Sequence, residues 1–121
     1  MSTAVGRVLT DIMRVPGVTA TFIVSKEGFI VEKAIGGGVN IDEDAVAAMI
    51  TTVYGSTTQL GEELNLGEPE MITLEFPGYY VLLNDLGGEH MIIVLAEKAK
   101  AVLGRLRYEI KKQSPRIRQS I

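Results

Sequence analysis

"VLLNDLGGEHMIIVLA", Val81 to Ala96, decides the fold. Two apolar runs, Val81 to Leu83 and Met91 to Leu95, flank Leu86-Gly87-Gly88, a strong turn signal, so the stretch reads as two antiparallel strands joined by a tight connection. A strand with one wet face alternates polar and apolar residues. These runs do not, which places them in the middle of a sheet with both faces covered. Helices must therefore pack above and below them.

Three strands are expected in this half of the chain, Glu70 to Phe76, Tyr79 to Asp85 and Glu89 to Ala96, with Pro77-Gly78 turning the first into the second. Pro69 and Pro77 bracket the first of them and suit an edge position, because proline cannot donate to a ladder. Earlier, Thr21 to Lys26 and Phe29 to Ile35 form a hairpin about Glu27-Gly28. Val5, Val8, Leu9, Ile12 and Met13 share one stripe of a first helix over 3–14, which Ser2 or Thr3 caps and Val15-Pro16-Gly17 ends. The last helix is expected to begin near Glu97, to bury Ala99, Val102, Leu103, Leu106 and Ile110, and to stop at Ser114-Pro115. The order is αββαβββα. Residues 1–113 form one domain and 114–121 a basic tail.

Between the hairpin and the meander lies a helix with an unusual composition: from Ala45 to Gly61 it holds no charged residue. Asp42 is its N-cap, Glu43 and Asp44 complement the dipole of its first turn, and Asn65 and Gly67 supply left-handed stops. At about 100° per residue, Val46, Met49, Ile50, Val53, Thr57, Leu60 and Leu64 fall on one stripe, assigned to the sheet. Ala48, Thr51, Gly55, Thr58 and Gln59 lie opposite, and Ala47, Thr51 and Gly55 make a four-spaced ridge of small residues. Glycine in a helix interior costs about 1 kcal/mol relative to alanine, and close approach of another backbone explains Gly55 best. The two remaining helices are needed on the other face of the sheet. The partner is then the same helix of a second copy, antiparallel about a two-fold axis, with the exposed edge strand joining edge to edge. The expected dimer interface is Ala47, Ala48, Thr51, Gly55, Thr58, Gln59, Ile72 and Leu74.

Reactive chemistry is sparse. The chain of 121 residues has no cysteine, which removes disulfides, thiolate nucleophiles and zinc-thiolate sites. Gly36-Gly37-Gly38 precedes a helix whose positive end is already occupied by Asp42, Glu43 and Asp44, against a phosphate loop. Asn40, Asp42 and Asp44 have calcium-loop spacing, yet Ala45 and Thr51 stand where such a loop needs glycine and glutamate. A lone His90 beside Glu89 defines no triad, and Glu68 and Glu70 read as solvated. No catalytic residue, metal ligand or cofactor site is expected, so the chain is not read as an enzyme.

The net charge of -3 is unevenly spread: Asp42 to Glu97 holds eleven acidic residues and no Lys or Arg, whereas Lys98 to Arg118 holds eight basic residues and one Glu. Arg105, Arg107, Lys111 and Lys112 are candidates for docking an acidic partner. With only Tyr108 among these cations and no nucleic-acid motif, the pattern weighs against nucleic acid. The start lacks a basic region followed by an apolar run, and no apolar stretch is long enough to span a bilayer, so a cytoplasmic location without membrane insertion is expected.

The joint pattern of "VPGV" (Val15 to Val18), "TFIVSKEGFIVEKA", "DEDAVAAMITTVYGSTTQLGEEL" and "HMIIVLA" resembles the Roadblock family, the dynein light chain roadblock-type domains, over nearly the whole chain. The resemblance implies an α+β fold: a five-stranded antiparallel sheet with the middle helix on one face and the two terminal helices on the other, dimerising through that helix and the third strand. It also implies a non-catalytic homodimeric regulator or scaffold that binds a small Ras-like GTPase, as prokaryotic relatives do. One departure stands out: the middle helix offers no Arg, so GTPase stimulation by an inserted guanidinium from that surface is not expected. Two alternatives stay open, a small-ligand sensory module and a basic C-terminal helix that binds nucleic acid or anionic membrane.

Overall fold

In the computed structural model, which describes residues 3–121, the elements are α1 (Ala4–Met13), β1 (Val18–Ser25), β2 (Ile30–Ile35), α2 (Glu43–Glu63), β3 (Met71–Glu75), β4 (Tyr79–Asp85), β5 (His90–Glu97) and α3 (Leu103–Ser120). The five strands form one antiparallel sheet in the order β2-β1-β5-β4-β3. The continuously apolar β5 is the middle strand, and β4 lies beside it, as their lack of alternation requires.

Successive residues of these strands enter different cores. Ile92 and Val94 of β5 and Leu82 of β4 pack with Val5, Val8, Leu9 and Ile12 of α1 and with Leu106, Ile110 and Ile117 of α3. Met91, Ile93 and Leu83 point the other way, toward Ala47 and Ile50 of α2, together with Phe22 and Val24 of β1. Each such fully enclosed aliphatic side chain contributes roughly 1.5–3 kcal/mol, so β4 and β5, buried on both faces, stabilise both cores at once. The terminal helices thus share one face and α2 has the other.

Local signals act as their chemistry dictates. Thr3 Oγ1 accepts from the Gly6 N–H at 2.8 Å and caps α1, while Ser2, the alternative cap, lies outside the described residues. Asp42 Oδ1 accepts from the Ala45 N–H at 3.2 Å, and Asn65 and Gly67 carry φ of 58° and 81° just past α2. The proline-bracketed β3 is an edge strand, paired with β4 alone among the described residues.

The last helix departs from expectation at both ends. Glu97 closes β5 rather than opening a helix: it pairs with Tyr79 in the sheet, its N–H donates to the Gly17 carbonyl at 2.7 Å and the Lys98 N–H to that of Gly78 at 2.9 Å. Ala99 and Val102, expected inside, are exposed, and α3 starts only at Leu103. Nor does it stop at Ser114-Pro115. Pro115 is exposed and leaves the Lys111 carbonyl without its helical N–H donor, yet the helix continues so that Ile117 is fully buried. The Asn84 amide donates to Ser114 Oγ at 2.7 Å, which in turn donates to the Ile110 carbonyl at 2.7 Å, and this buried relay holds α3 to β4 immediately before the proline. Residues 114–120 are therefore the last turns of a core helix.

Candidate functional site

α2 sits on its sheet about a quarter-turn from the orientation that apolar periodicity suggests. Ala47, Ile50 and Gly61 are the enclosed residues, and Tyr54 is half-buried between them. Ala47 is therefore unavailable to a second copy, which corrects its assignment to the interface. Met49, Leu60 and Leu64, assigned to the sheet, are instead 63%, 57% and 57% exposed.

The orientation is fixed by polar groups at the end of the sheet. Tyr54 Oη donates to Asp85 Oδ2 at 2.8 Å, Lys26 Nζ lies 3.0 Å from Asp85 Oδ1 and 5.3 Å from the Tyr54 ring centroid, and the Gly87 N–H donates to Asp85 Oδ1 at 2.9 Å. Burial opposes ionisation of Asp85, but the Gly87 N–H, Lys26 and Tyr54 outweigh it and hold the carboxyl below its ordinary range. Burial likewise opposes the charge on Lys26, and Asp85 outweighs it, so the ammonium is held above its ordinary value. Burial and then Asp85 push the Tyr54 hydroxyl up. Every member of the cluster is thus held in its ordinary neutral-pH form, which suits a clamp better than an acid or base.

Two flanks of α2 differ in what they face. Thr51 lies beside Gly28 in the β1–β2 turn, so this flank of α2 meets the hairpin at Thr51, and Thr58 on the same flank is half-buried as well. Thr57 and Leu60 on the other flank, with Leu66, Gly67 and Pro69, line a hollow of about 250 Å³ before β3. Leu66 is 73% exposed there. Met49, Val53 and Leu60 consequently form an apolar stripe on the β3 side of the helix, while Ala48, Gly55 and Gln59 remain exposed. Ile72 and Leu74 of β3 are half-buried on the sheet face that carries α2.

The threonines do not make this helix wet. Thr51 and Thr52 donate to the Ala48 carbonyl at 2.8 and 3.0 Å, Thr57 to Val53 at 2.8 Å and Thr58 to Tyr54 at 2.9 Å. With each hydroxyl proton donated to the backbone, covering the surface leaves no threonine donor unsatisfied. No group of three or more His, Asp or Glu residues among the described residues could hold a metal ion. Arg105, Arg107, Lys111 and Lys112 are all exposed on α3, on the opposite face of the sheet from α2.

The arrangement of these elements is a known one. A model of the Roadblock/LC7 domain matches residues 4–97. The chain belongs to this family. An uncharacterized protein of Methanocaldococcus jannaschii is 29% identical over 114 residues, covering 94% of this chain and 93% of its own. Myxococcus xanthus MglB superposes with a TM-score of 0.89 at 20% identity, covering 97% of this chain and 94% of that one. A Roadblock/LC7 domain from Streptomyces avermitilis gives 0.82 at 20% identity, with 93% of each chain covered. The family match ends with β5, while the structural likeness to MglB covers nearly the whole chain. Among the described residues no helix is long and apolar enough to cross a membrane.

Proposed function

We propose that this Roadblock/LC7 protein is a non-catalytic, homodimeric regulator or scaffold that binds a small Ras-like GTPase in the cytoplasm. One observation carries the reading: a helix without charge from Ala45 to Gly61 leaves Met49 and Leu60 exposed and Val53 half-buried, beside an edge strand whose outer side meets no other strand among the described residues. Two copies related by a two-fold axis would bring these stripes together antiparallel and join β3 to β3. Covering Met49 and Leu60 alone is worth roughly 1–3 kcal/mol per side chain in each copy, before any strand hydrogen bonds. Ile72 and Leu74 remain part of this interface, with Ala48, Gly55 and Gln59 at its margin. The stripe takes the place of the Ala47–Thr51–Thr58 flank.

The family supplies the partner class, and the residues constrain the mode of action. From Asp42 to Glu97 there is no arginine, so neither α2 nor the strands that follow it can lend a guanidinium to a transferring phosphoryl group. Any effect on nucleotide hydrolysis would come from rearranging the GTPase's own groups. The deciding experiment is co-purification of the tagged protein from its native lysate in the presence of GDP or a GTP analogue. Recovery of a Ras-like GTPase in one nucleotide state supports the reading. Consistent absence of any GTPase in both would refute it.

A further inference from the structure

Ser114 donates its one hydroxyl proton to the Ile110 carbonyl, so the Asn84 group that meets Ser114 Oγ is its NH2, and the Asn84 side-chain oxygen is left for the other side. That oxygen accepts no hydrogen bond from any described residue, although Asn84 is only 6% exposed. Among the described residues no side-chain oxygen is both sealed from solvent and without a partner, so this one has an opening. Asn84 lines a hollow of about 380 Å³ between α3, the end of β4 and the segment that leads into β3. A nearly buried acceptor that reaches such a space calls for a donor there.

Charge divides the walls of this hollow. Lys111 and Arg118 stand on the α3 side, about 10 Å apart along the helix, and Glu68 and Glu70 stand on the other, before and after Pro69. These four side chains are exposed, and none forms an ion pair among the described residues. Asp85 at the rim is already engaged by Lys26, Tyr54 and the Gly87 N–H. Both walls are anchored to β4: the Asp85 N–H donates to the Glu70 carbonyl at 3.1 Å, and the Asn84–Ser114 bond holds α3. We infer that the hollow binds a small zwitterion of the amino-acid class, its ammonium toward Glu68, Glu70 and the Asn84 oxygen and its carboxylate toward Lys111 and Arg118. Phosphate alone suits the two cations but faces two glutamates, and a polyamine meets the reverse conflict. An amino acid brings both signs together with an N–H for Asn84, and the hollow lies within the roughly 300–1,000 Å³ typical of small-molecule sites. The inference uses no surface of α2 and does not rest on the GTPase reading.

Amide NMR of the isotope-labelled full chain, titrated with each standard amino acid to about 10 mM, tests this, since a few charge-assisted contacts correspond to a dissociation constant of roughly 1 mM or below. At least one amino acid should shift the Asn84 side-chain amide and the Gly87 backbone amide to saturation. Lys111→Gln and Glu70→Gln, both at exposed positions, should each weaken that binding about tenfold, the loss of one charged contact, with unchanged circular dichroism. Lys112→Gln, outside the hollow, should bind as the wild type does. The N-acetyl derivative and the methyl ester of the bound amino acid each lack one charge and should bind about tenfold more weakly than the parent. The proposal fails if no standard amino acid shifts these amides, if Lys111→Gln or Glu70→Gln binds as tightly as wild type, if Lys112→Gln weakens binding as much, or if either derivative binds as well as the parent. It fails equally if inorganic phosphate at the same concentration gives the same saturating shifts, which would make the hollow an anion site.

Discussion

Tyr54 and Asp85, 31 positions apart, share a hydrogen bond of 2.8 Å that ties the centre of α2 to the end of β4. Replacing Tyr54 with Phe keeps the ring against the sheet and removes only the donor. Asp85 retains Lys26 and the Gly87 N–H, so the loss should be about 1–2 kcal/mol, the worth of a hydrogen bond to a charged acceptor. Urea denaturation of Tyr54→Phe against wild type measures it. A loss below about 0.3 kcal/mol would show that packing alone orients the helix.

The same cluster sets a pH dependence. The folded Asp85 carboxyl titrates below its unfolded counterpart, so its stabilisation is complete above an unfolded pKa of about 3.9 and disappears as pH falls through the lowered folded value. Lys26 is raised above 10.5, so its share is complete below that pH and is lost as pH climbs through the folded value. Urea midpoints should be flat between these limits as far as the cluster is concerned. Asp85→Asn should lower the neutral plateau and flatten the acid limb, and an unaltered acid limb would remove Asp85 from the account.

Two glycines of α2 should respond in opposite directions to alanine. A Cβ on Gly61 would stand 2.2 Å from the Gly67 carbonyl oxygen, a backbone atom that must move, whereas one on Gly55 meets nothing within 4 Å. Gly61→Ala should destabilise by about 1–3 kcal/mol despite its gain in helix propensity. Gly55→Ala should stabilise the protomer by up to about 1 kcal/mol. Thermal denaturation distinguishes them. If Gly55→Ala also splits the proposed dimer in light scattering, the small-residue flank would lie closer to its two-fold axis than the apolar stripe.

Leu60→Asp addresses the stripe directly. The residue is more than half exposed in the protomer, so the fold should be unaffected while a dimer loses an apolar contact in each copy and gains two buried charges. Dissociation at micromolar concentration is expected by light scattering, with an unchanged far-ultraviolet circular dichroism spectrum.

Ile117→Ala tests the end of α3. A fully enclosed isoleucine beyond the proline should cost about 2–5 kcal/mol when truncated, and a chain ending at Gln113 should be destabilised at least as much. A free tail would tolerate both changes.

The sheet was legible because β4 and β5 carry two faces' worth of apolar residues, and no other environment suits Met91-Ile-Ile-Val-Leu. Caps and turns were legible for the same local reason: Thr3, Asp42, Asn65 and Gly67 act within a few residues of themselves. The rotation of α2 was not. Its apolar stripe faces an unfilled edge of the molecule, and the residue that turns it, Tyr54, is chosen by a carboxylate 31 positions away that no spacing rule connects to it. The start of α3 was hidden for a similar reason, since the sheet pairing that carries the chain through Glu97 is made with Tyr79, Gly17 and Gly78, all distant in sequence. Pro115 misled in the ordinary way, its local penalty overridden by the burial of Ile117.

Four threonine hydroxyls turned back onto the α2 backbone give the protein a surface that is neither greasy nor thirsty. A partner that leaves it strands no hydroxyl donor, since each already has a carbonyl one turn back. In the proposed regulator, attachment to that part of the helix would therefore be inexpensive to reverse, one occupant giving way to the next without unfolding anything.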